Sequence, residues 1–297
     1  MKISFMHPDH LQALAGIADT GTFEGAARLL GVSTSAVSQR LRALEASMGR
    51  VLVRRGAPSR LTDEGAVVLR YARQQQLLAS ELAAELDLEP APGSPVDDRI
   101  PLAVAVNADS LSTWFVGVLQ QATTWPEVRL LVSTADEART AELLRSGKVM
   151  AAVSSSRTRV PGCRVEHLGS IRYLPCAAPA LLERHQDASS PAELPVLRFD
   201  DDDDLQDLAL AAAGLAPPAP RAVVPTAEAF AAAVRYGLGW GMVLAAQDPA
   251  GAGLRVIPGL GPVDRQLYWH HWSIESTSLS RLSRAVRAAF TQGAHSA

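Results

Sequence analysis

Cysteine is almost missing from this chain. Only Cys163 and Cys176 occur in 297 residues, which excludes a disulfide framework and a four-cysteine zinc site and fits a reducing cytoplasm. No apolar run reaches the roughly 18 residues that a membrane-spanning helix needs, and the apolar stretch in MKISFMHPDH is too short for a secretory signal. A soluble cytoplasmic protein with no membrane partner is expected. Catalytic signatures are missing as well: neither a GxSxG elbow nor an HExxH pair is present. His270 and His271 are neighbours in an expected strand, so they point to opposite faces and cannot share one metal. Gly237, Gly239 and Gly241 in GLGWGM precede a strand, unlike a phosphate-binding loop that opens a helix. The chain therefore reads as a non-enzyme with no metal and no cofactor.

What is present points elsewhere. A hydrophobic content of 47% excludes global disorder, and 297 residues suit two or three compact units. The net charge of -3 conceals a split: residues 1–80 carry 10 Lys+Arg against 6 Asp+Glu, and the remainder carries 18 against 25. A basic front suits a polyanion, and an acidic rear suits a cationic ligand.

The segment Thr22 to Glu45, TFEGAARLLGVSTSAVSQRLRALE, reads as a helix-turn-helix. Thr22 caps a first helix with a small apolar face at Ala26, Ala27 and Leu30, Gly31 stops it, and Ser33 caps a second helix. The second helix places Val37, Leu41, Leu44 and Met48 inward. Its other face carries Thr34, Ser35, Ser38, Gln39 and Arg42, side chains suited to base edges and phosphates in the major groove. A merely solvated amphipathic face is the competing explanation. The close-packing alanine pair, the single glycine turn and the basic hairpin that follows favour DNA. That hairpin, VLVRRGAPSRLT, reads as a wing with Arg54, Arg55 and Arg60 directed at phosphates or the minor groove, though each arginine alone also suits a solvated turn. Ahead of the motif, Asp9 is expected to cap a supporting helix with Leu11, Leu14, Ile17 and Ala18 inside.

Thr62 caps a helical pattern that runs to about Leu88, about 40 Å at 1.5 Å per residue. Leu78, Leu82 and Leu86 form its stripe, and a helix of this length outside a compact domain pairs most simply with a copy of itself. EPAPGSPVDD, Glu89 to Asp98, reads as a hinge. Alternating strands and helices follow. Strands are expected at 102–106, 128–132, 149–153, 196–199, 222–224, 242–244 and 267–272, with helices at 110–121, 140–146, 205–213, 227–235 and 278–290. Two α/β lobes joined by crossing strands at 172–177 enclose a cleft, and ligands gather at the carboxyl ends of such strands.

Candidate cleft residues follow from that rule. Asn107, Asp109 and Ser110 succeed the first strand, where amides and a hydroxyl suit a carboxylate and Asp109 suits an ammonium, unless Asp109 is an ordinary N-cap. Glu137 follows the second strand beside Asp136. Asp200 and Asp201 open a run of five carboxylates, most of which must be solvated. Thr226 and Glu228 stand at another strand end, where they equally suit a helix cap and a first-turn acid.

The run GTFEGAARLLGVSTSAVSQRLRALEASMGRVLVRR resembles the N-terminal winged helix-turn-helix of LysR-type transcriptional regulators. LAVAVNADSLSTWF, PGCRVEHLGSIRYLPCA and GLGWGM resemble the ArgP/LysG branch of that family. The resemblance implies an α+β multidomain protein. A winged helix-turn-helix would span 1–61, a linker dimerisation helix 62–89, a hinge 90–98, and a two-lobed, periplasmic-binding-protein-like effector domain 99–297. Lobe I would comprise 99–171 and 273–297, and lobe II 172–272. It further implies double-stranded promoter DNA as partner, lysine or arginine as effector, control of an amino-acid exporter gene, RNA polymerase contact if the protein activates, and a homodimer that assembles into a homotetramer. The alternatives are a LysR-type regulator of another small carboxylate metabolite and a solute-binding protein, which would leave the basic front domain without a role.

Overall fold

The computed structural model describes residues 6–88 and 99–294. Three helices open the chain: α1 (Pro8–Thr20), α2 (Phe23–Leu30) and α3 (Thr34–Met48). Thr22 Oγ1 accepts from the Gly25 amide at 2.9 Å and Ser33 Oγ from the Ala36 amide at 3.2 Å, so α2 and α3 start where their caps dictate. For α1 the cap is His7, whose ring accepts from the Asp9 amide at 3.3 Å, and Asp9 instead pairs with Arg40 of α3 at 2.8 Å. Leu11, Leu14 and Ile17 pack with Ala26, Ala27, Val37, Leu41 and Leu44 in one core. Each fully buried leucine or isoleucine there contributes about 1.5–3 kcal/mol.

The hairpin β1 (Val53–Arg54) and β2 (Arg60–Leu61) follows. Glu45 of α3 accepts from the amides of Leu52 at 2.8 Å and Val53 at 3.3 Å, which fixes the root of the hairpin to that helix. Then comes α4 (Asp63–Glu85), capped by Thr62 and about 35 Å long. It stops at Glu85 rather than Leu88, with Leu86 as its C-terminal cap. Leu77 is buried against the sheet described next, whereas Leu78, Leu82 and Leu86 are 43%, 55% and 57% exposed. The hinge expected at Glu89 to Asp98 lies outside the described residues.

The remaining elements are β3 (Ile100–Val106), α5 (Ala108–Ser112), α6 (Val116–Ala122), β4 (Val128–Thr134), α7 (Glu137–Arg145), β5 (Ala151–Ser154), β6 (Cys163–Ala177) and α8 (Pro179–Arg184). They continue with β7 (Leu197–Arg198), α9 (Leu205–Ala212), β8 (Ala222–Val223), α10 (Ala227–Arg235), β9 (Gly241–Leu244), β10 (Arg255–Val256), β11 (Val263–Trp272) and α11 (Thr277–Ala294). One sheet orders them β10-β6-β11-β5-β3-β4, with β9 also on β6, and β7 and β8 pair separately. β3 runs parallel to β4 and β5, so their carboxyl ends share one edge. The helix expected over 110–121 is broken in two, because Thr113 at φ -123° and ψ -107° is not helical.

β6 and β11 pair along much of their length and serve three hydrophobic clusters, the smallest of which takes Cys176 of β6. Leu267, Trp269 and Trp272 belong to the cluster of β3, β5 and α11, where the Trp269 indole donates to Ser283 Oγ at 3.0 Å. Tyr173 and Ala177 belong to the cluster of β9 and α9, against which Val263 packs. The chain thus changes cluster inside two continuous strands, around Ile171 in β6, which packs against both of these clusters, and between Val263 and Leu267 in β11. Residues 163–171 and 263–266 carry no strand expectation from the sequence, since their apolar alternation is interrupted by Gly169 and by charged side chains.

Candidate functional site

Two surfaces concentrate the expected residues. On α3, Ser35, Gln39 and Arg42 are exposed, and Thr34 and Ser38 are half-buried beside them. Gln39 has no side-chain partner among the described residues. The Arg42 guanidinium donates back to the Ser38 carbonyl at 3.2 Å, and Ser35 Oγ shares a hydrogen bond of 2.9 Å with Ser33 Oγ. Arg54 and Arg60 are directly opposite across the hairpin and both exposed. Like charges in facing positions of a ladder destabilise it, so this pair is better tolerated beside a polyanion. Arg55 differs from its neighbours: its guanidinium lies 5.2 Å from the centre of the Phe23 ring, which turns it towards the start of α2.

The second surface lies where β3, β4 and β5 end. Asn107 occupies the cap position of α5, but its side chain makes no cap bond, and its Oδ1 is buried without a partner among the described residues. Ser110 Oγ is likewise buried and unpartnered. Asp109 is not an N-cap. Its Oδ2 accepts from the Tyr173 hydroxyl of β6 at 2.5 Å, a bond from the first cluster to the second. Burial pushes the Asp109 carboxyl above its ordinary value, the Tyr173 hydroxyl opposes that shift, and the Asp203 charge adds to it. Burial and the neighbouring Asp109 charge raise the Tyr173 phenol in turn. No guanidinium or ammonium pairs with Asp109 among the described residues.

Of the acidic run, Asp203 rather than Asp200 or Asp201 is the member felt by Asp109. Asp203 is held by the amides of Phe199 at 2.8 Å and Leu205 at 3.2 Å and by the Gln206 side-chain amide at 3.1 Å. Asp200 accepts from the Asp202 amide at 3.0 Å, Asp201 is exposed, and Asp204 pairs with Arg265. Glu137 opens α7 and accepts from Ser155 Oγ at 2.7 Å, beside the strand end of β5. Next to it His270 is 2% exposed, with Nε2 against the Ser156 carbonyl at 2.8 Å. His271 turns the other way to Glu166 at 3.0 Å, as alternate strand positions require.

Thr226 and Glu228 stand at the start of α10, which packs against α5, the helix that carries Asp109. Thr226 caps α10 by accepting from the Ala229 amide at 3.4 Å. Glu228 lines a depression of about 320 Å³ with Ser112 and Arg235, and neither Asp109 nor Tyr173 is among its lining residues. Tyr173, Asp203 and Arg265 are the residues of this region that the sequence does not single out. Tyr173 sits in a strand read only in part, and Asp203 is one of five consecutive acids with nothing local to distinguish it.

Among the described residues no helix is long and apolar enough to cross a membrane. Comparison with known proteins divides the chain in the same way. Residues 8–66 match the model of the bacterial regulatory helix-turn-helix protein, lysR family, and residues 98–292 match the LysR substrate binding domain. The lysine export transcriptional regulatory protein LysG of Corynebacterium efficiens is 44% identical over 95% of this chain and 97% of its own. Full-length LysG from Corynebacterium glutamicum with bound effector Arg superposes with a TM-score of 0.76 at 39% identity, covering 96% of this chain and 98% of that one. ArgP from Mycobacterium tuberculosis gives a TM-score of 0.79 at 39% identity over 95% and 96% of the two chains. The winged helix-turn-helix, the linker helix and the sheet therefore have one origin: the chain belongs to the LysR family of bacterial helix-turn-helix transcriptional regulators.

Proposed function

We propose that this regulator senses a basic amino acid, arginine or lysine, in the cleft at Asp109, and that occupancy modulates how it binds or activates a promoter, that of an amino-acid exporter gene. The observation that carries this reading is Asp109 itself: a half-buried carboxylate that among the described residues is bonded only to a phenol, with a second carboxylate, Asp203, near enough to raise its pKa. Two acids sharing a desolvated site are stabilised by an incoming cation. The buried, unpartnered Asn107 Oδ1 and Ser110 Oγ give an amino acid's polar groups something to meet, and Glu137 supplies a further anion. Similarity to LysG with bound effector Arg supports the ligand class, and the name of the Corynebacterium efficiens relative supports the export target. Calorimetric titration of the full chain should show heat with arginine or lysine, with glutamate and leucine at least about tenfold weaker, one charge-assisted bond being worth about 1.5–3 kcal/mol. Equal affinity for leucine would remove the charge argument.

DNA is read by α3 with Ser38, Gln39 and Arg42 over bases, while Arg54 and Arg60 hold phosphates. Two copies pair through α4, where the exposed Leu78 and Leu82 and the capping Leu86 lie four residues apart on one stripe. Pairing places two recognition helices on successive half-sites. Leu82→Asp should lower the particle mass measured by light scattering, because it puts a charge into the seam; an unchanged mass would put the association elsewhere.

A further inference from the structure

Arg73 of α4 bonds to two parts of the chain that carry different tasks. Its side chain is only 16% exposed, its Nη2 pairs with the Asp19 carboxylate of α1, and its Nη1 donates to the Gly147 carbonyl at 2.9 Å. One turn earlier, Arg70 donates to the Pro161 carbonyl at 2.7 Å. The loops that receive these arginines are shaped around them. At Gly147, with φ +69°, a Cβ would stand 2.7 Å from the Arg70 Cα, and at Gly162, with φ +81°, one would stand 3.3 Å from the Arg70 guanidinium carbon. Any other residue at Gly147 is disfavoured both by its backbone and by its neighbour.

The far ends of the same elements lie at the edge where β3, β4 and β5 end. α7 begins at Glu137, which holds Ser155, and ends at Arg145, two residues before Gly147. β5 leaves this joint and reaches Ser154 at the cleft. A nine-residue helix is a rod of about 14 Å, so a displacement at Glu137 appears at Gly147. Among the described residues, the hydrogen bonds that Arg70 and Glu81 of α4 make to the rear of the chain do not themselves include a group of α1. Glu81, for example, accepts from Ser276 Oγ at 2.6 Å and the Ser278 amide at 2.8 Å and fixes α4 to the start of α11 alone.

We propose that Arg73 is the positioning residue that carries effector occupancy to the DNA-binding helices. Its planar fork holds Asp19 and the Gly147 carbonyl at a fixed relative angle, so a shift of α7 or β5 re-aims α1 and the bundle packed on it. Lysine cannot replace it, since one ammonium lacks the two diverging donors. The inference rests on the effector reading above.

Coupling between two sites is reciprocal: arginine must change DNA affinity by the same factor by which DNA changes arginine affinity. The test measures both in the full-length wild type, Arg73→Lys and Asp19→Asn, using free arginine and a duplex selected by the wild type from a randomised pool. The wild type should show a factor in the range of about 5–150. Both variants should bring it within about twofold of unity, with arginine affinity in the absence of DNA within about twofold of wild type, and Asp19→Glu should restore part of the factor. That retained affinity also reports that the variants are folded. A wild-type factor in both variants, or a wild type that binds arginine with no effect on DNA, would overturn the role of Arg73. A wild type that binds no arginine would instead remove the effector reading, and this inference with it.

Discussion

Asp109→Asn should weaken arginine binding by about tenfold to a hundredfold, the worth of one charge-assisted hydrogen bond of about 1.5–3 kcal/mol. The substitution keeps the shape of the side chain and leaves an oxygen to accept from Tyr173, so packing around the 2.5 Å contact survives and only the charge is lost. A pH dependence follows with a definite sign. Burial holds the Asp109 carboxyl above its ordinary value of 3.8, so the protonated form persists to higher pH than in a free aspartate. A cation binds the ionised form and expels the proton. Arginine affinity should therefore be full above the raised value and decline as pH falls through it, starting above the range of exposed carboxylates. Asp109→Asn should flatten that decline; a variant with the wild-type slope would mean that another group sets it.

Gln39→Ala should cost about 1–3 kcal/mol on the selected duplex and clearly less on random DNA, the signature of a base contact. Gln39 is exposed at the outer face of α3, one turn from Ser35, and among the described residues no side-chain hydrogen bond competes for it. Arg54→Ala and Arg60→Ala should behave differently. Each should weaken binding to all sequences alike and reduce the salt slope by about one unit, because a phosphate contact carries charge without sequence information. Equal losses of Gln39→Ala on both duplexes would make Gln39 a backbone contact.

Much of this architecture is written locally. The helix-turn-helix is legible because its caps, Thr22 and Ser33, and its stops are neighbours in sequence, and the side chains that face DNA share one helix. The wing is legible for the same reason, a turn flanked by alternating apolar residues. The cleft is less so. Asp109 can be found from its place after a strand, but its partner Tyr173 lies 64 residues away in a strand whose exposure pattern is irregular, and the two meet only through the crossing of β6. Asp203 is chosen from its run by where Phe199, Leu205 and Gln206 hold it, a tertiary fact that no spacing encodes. Thr226 is legible as a cap, which it is for α10. The joint at Arg73 is invisible for a similar reason, since Asp19 and Gly147 come from opposite sides of α4 in the chain.

The most direct measurement is the footprint and affinity of the full chain on its selected duplex with and without arginine, wild type beside Asp109→Asn. Arginine at a concentration that saturates the wild type should change its complex with DNA and leave that of Asp109→Asn nearly as it was without arginine. The same response in both proteins, or none in the wild type, would contradict a regulator that senses a cationic amino acid at Asp109.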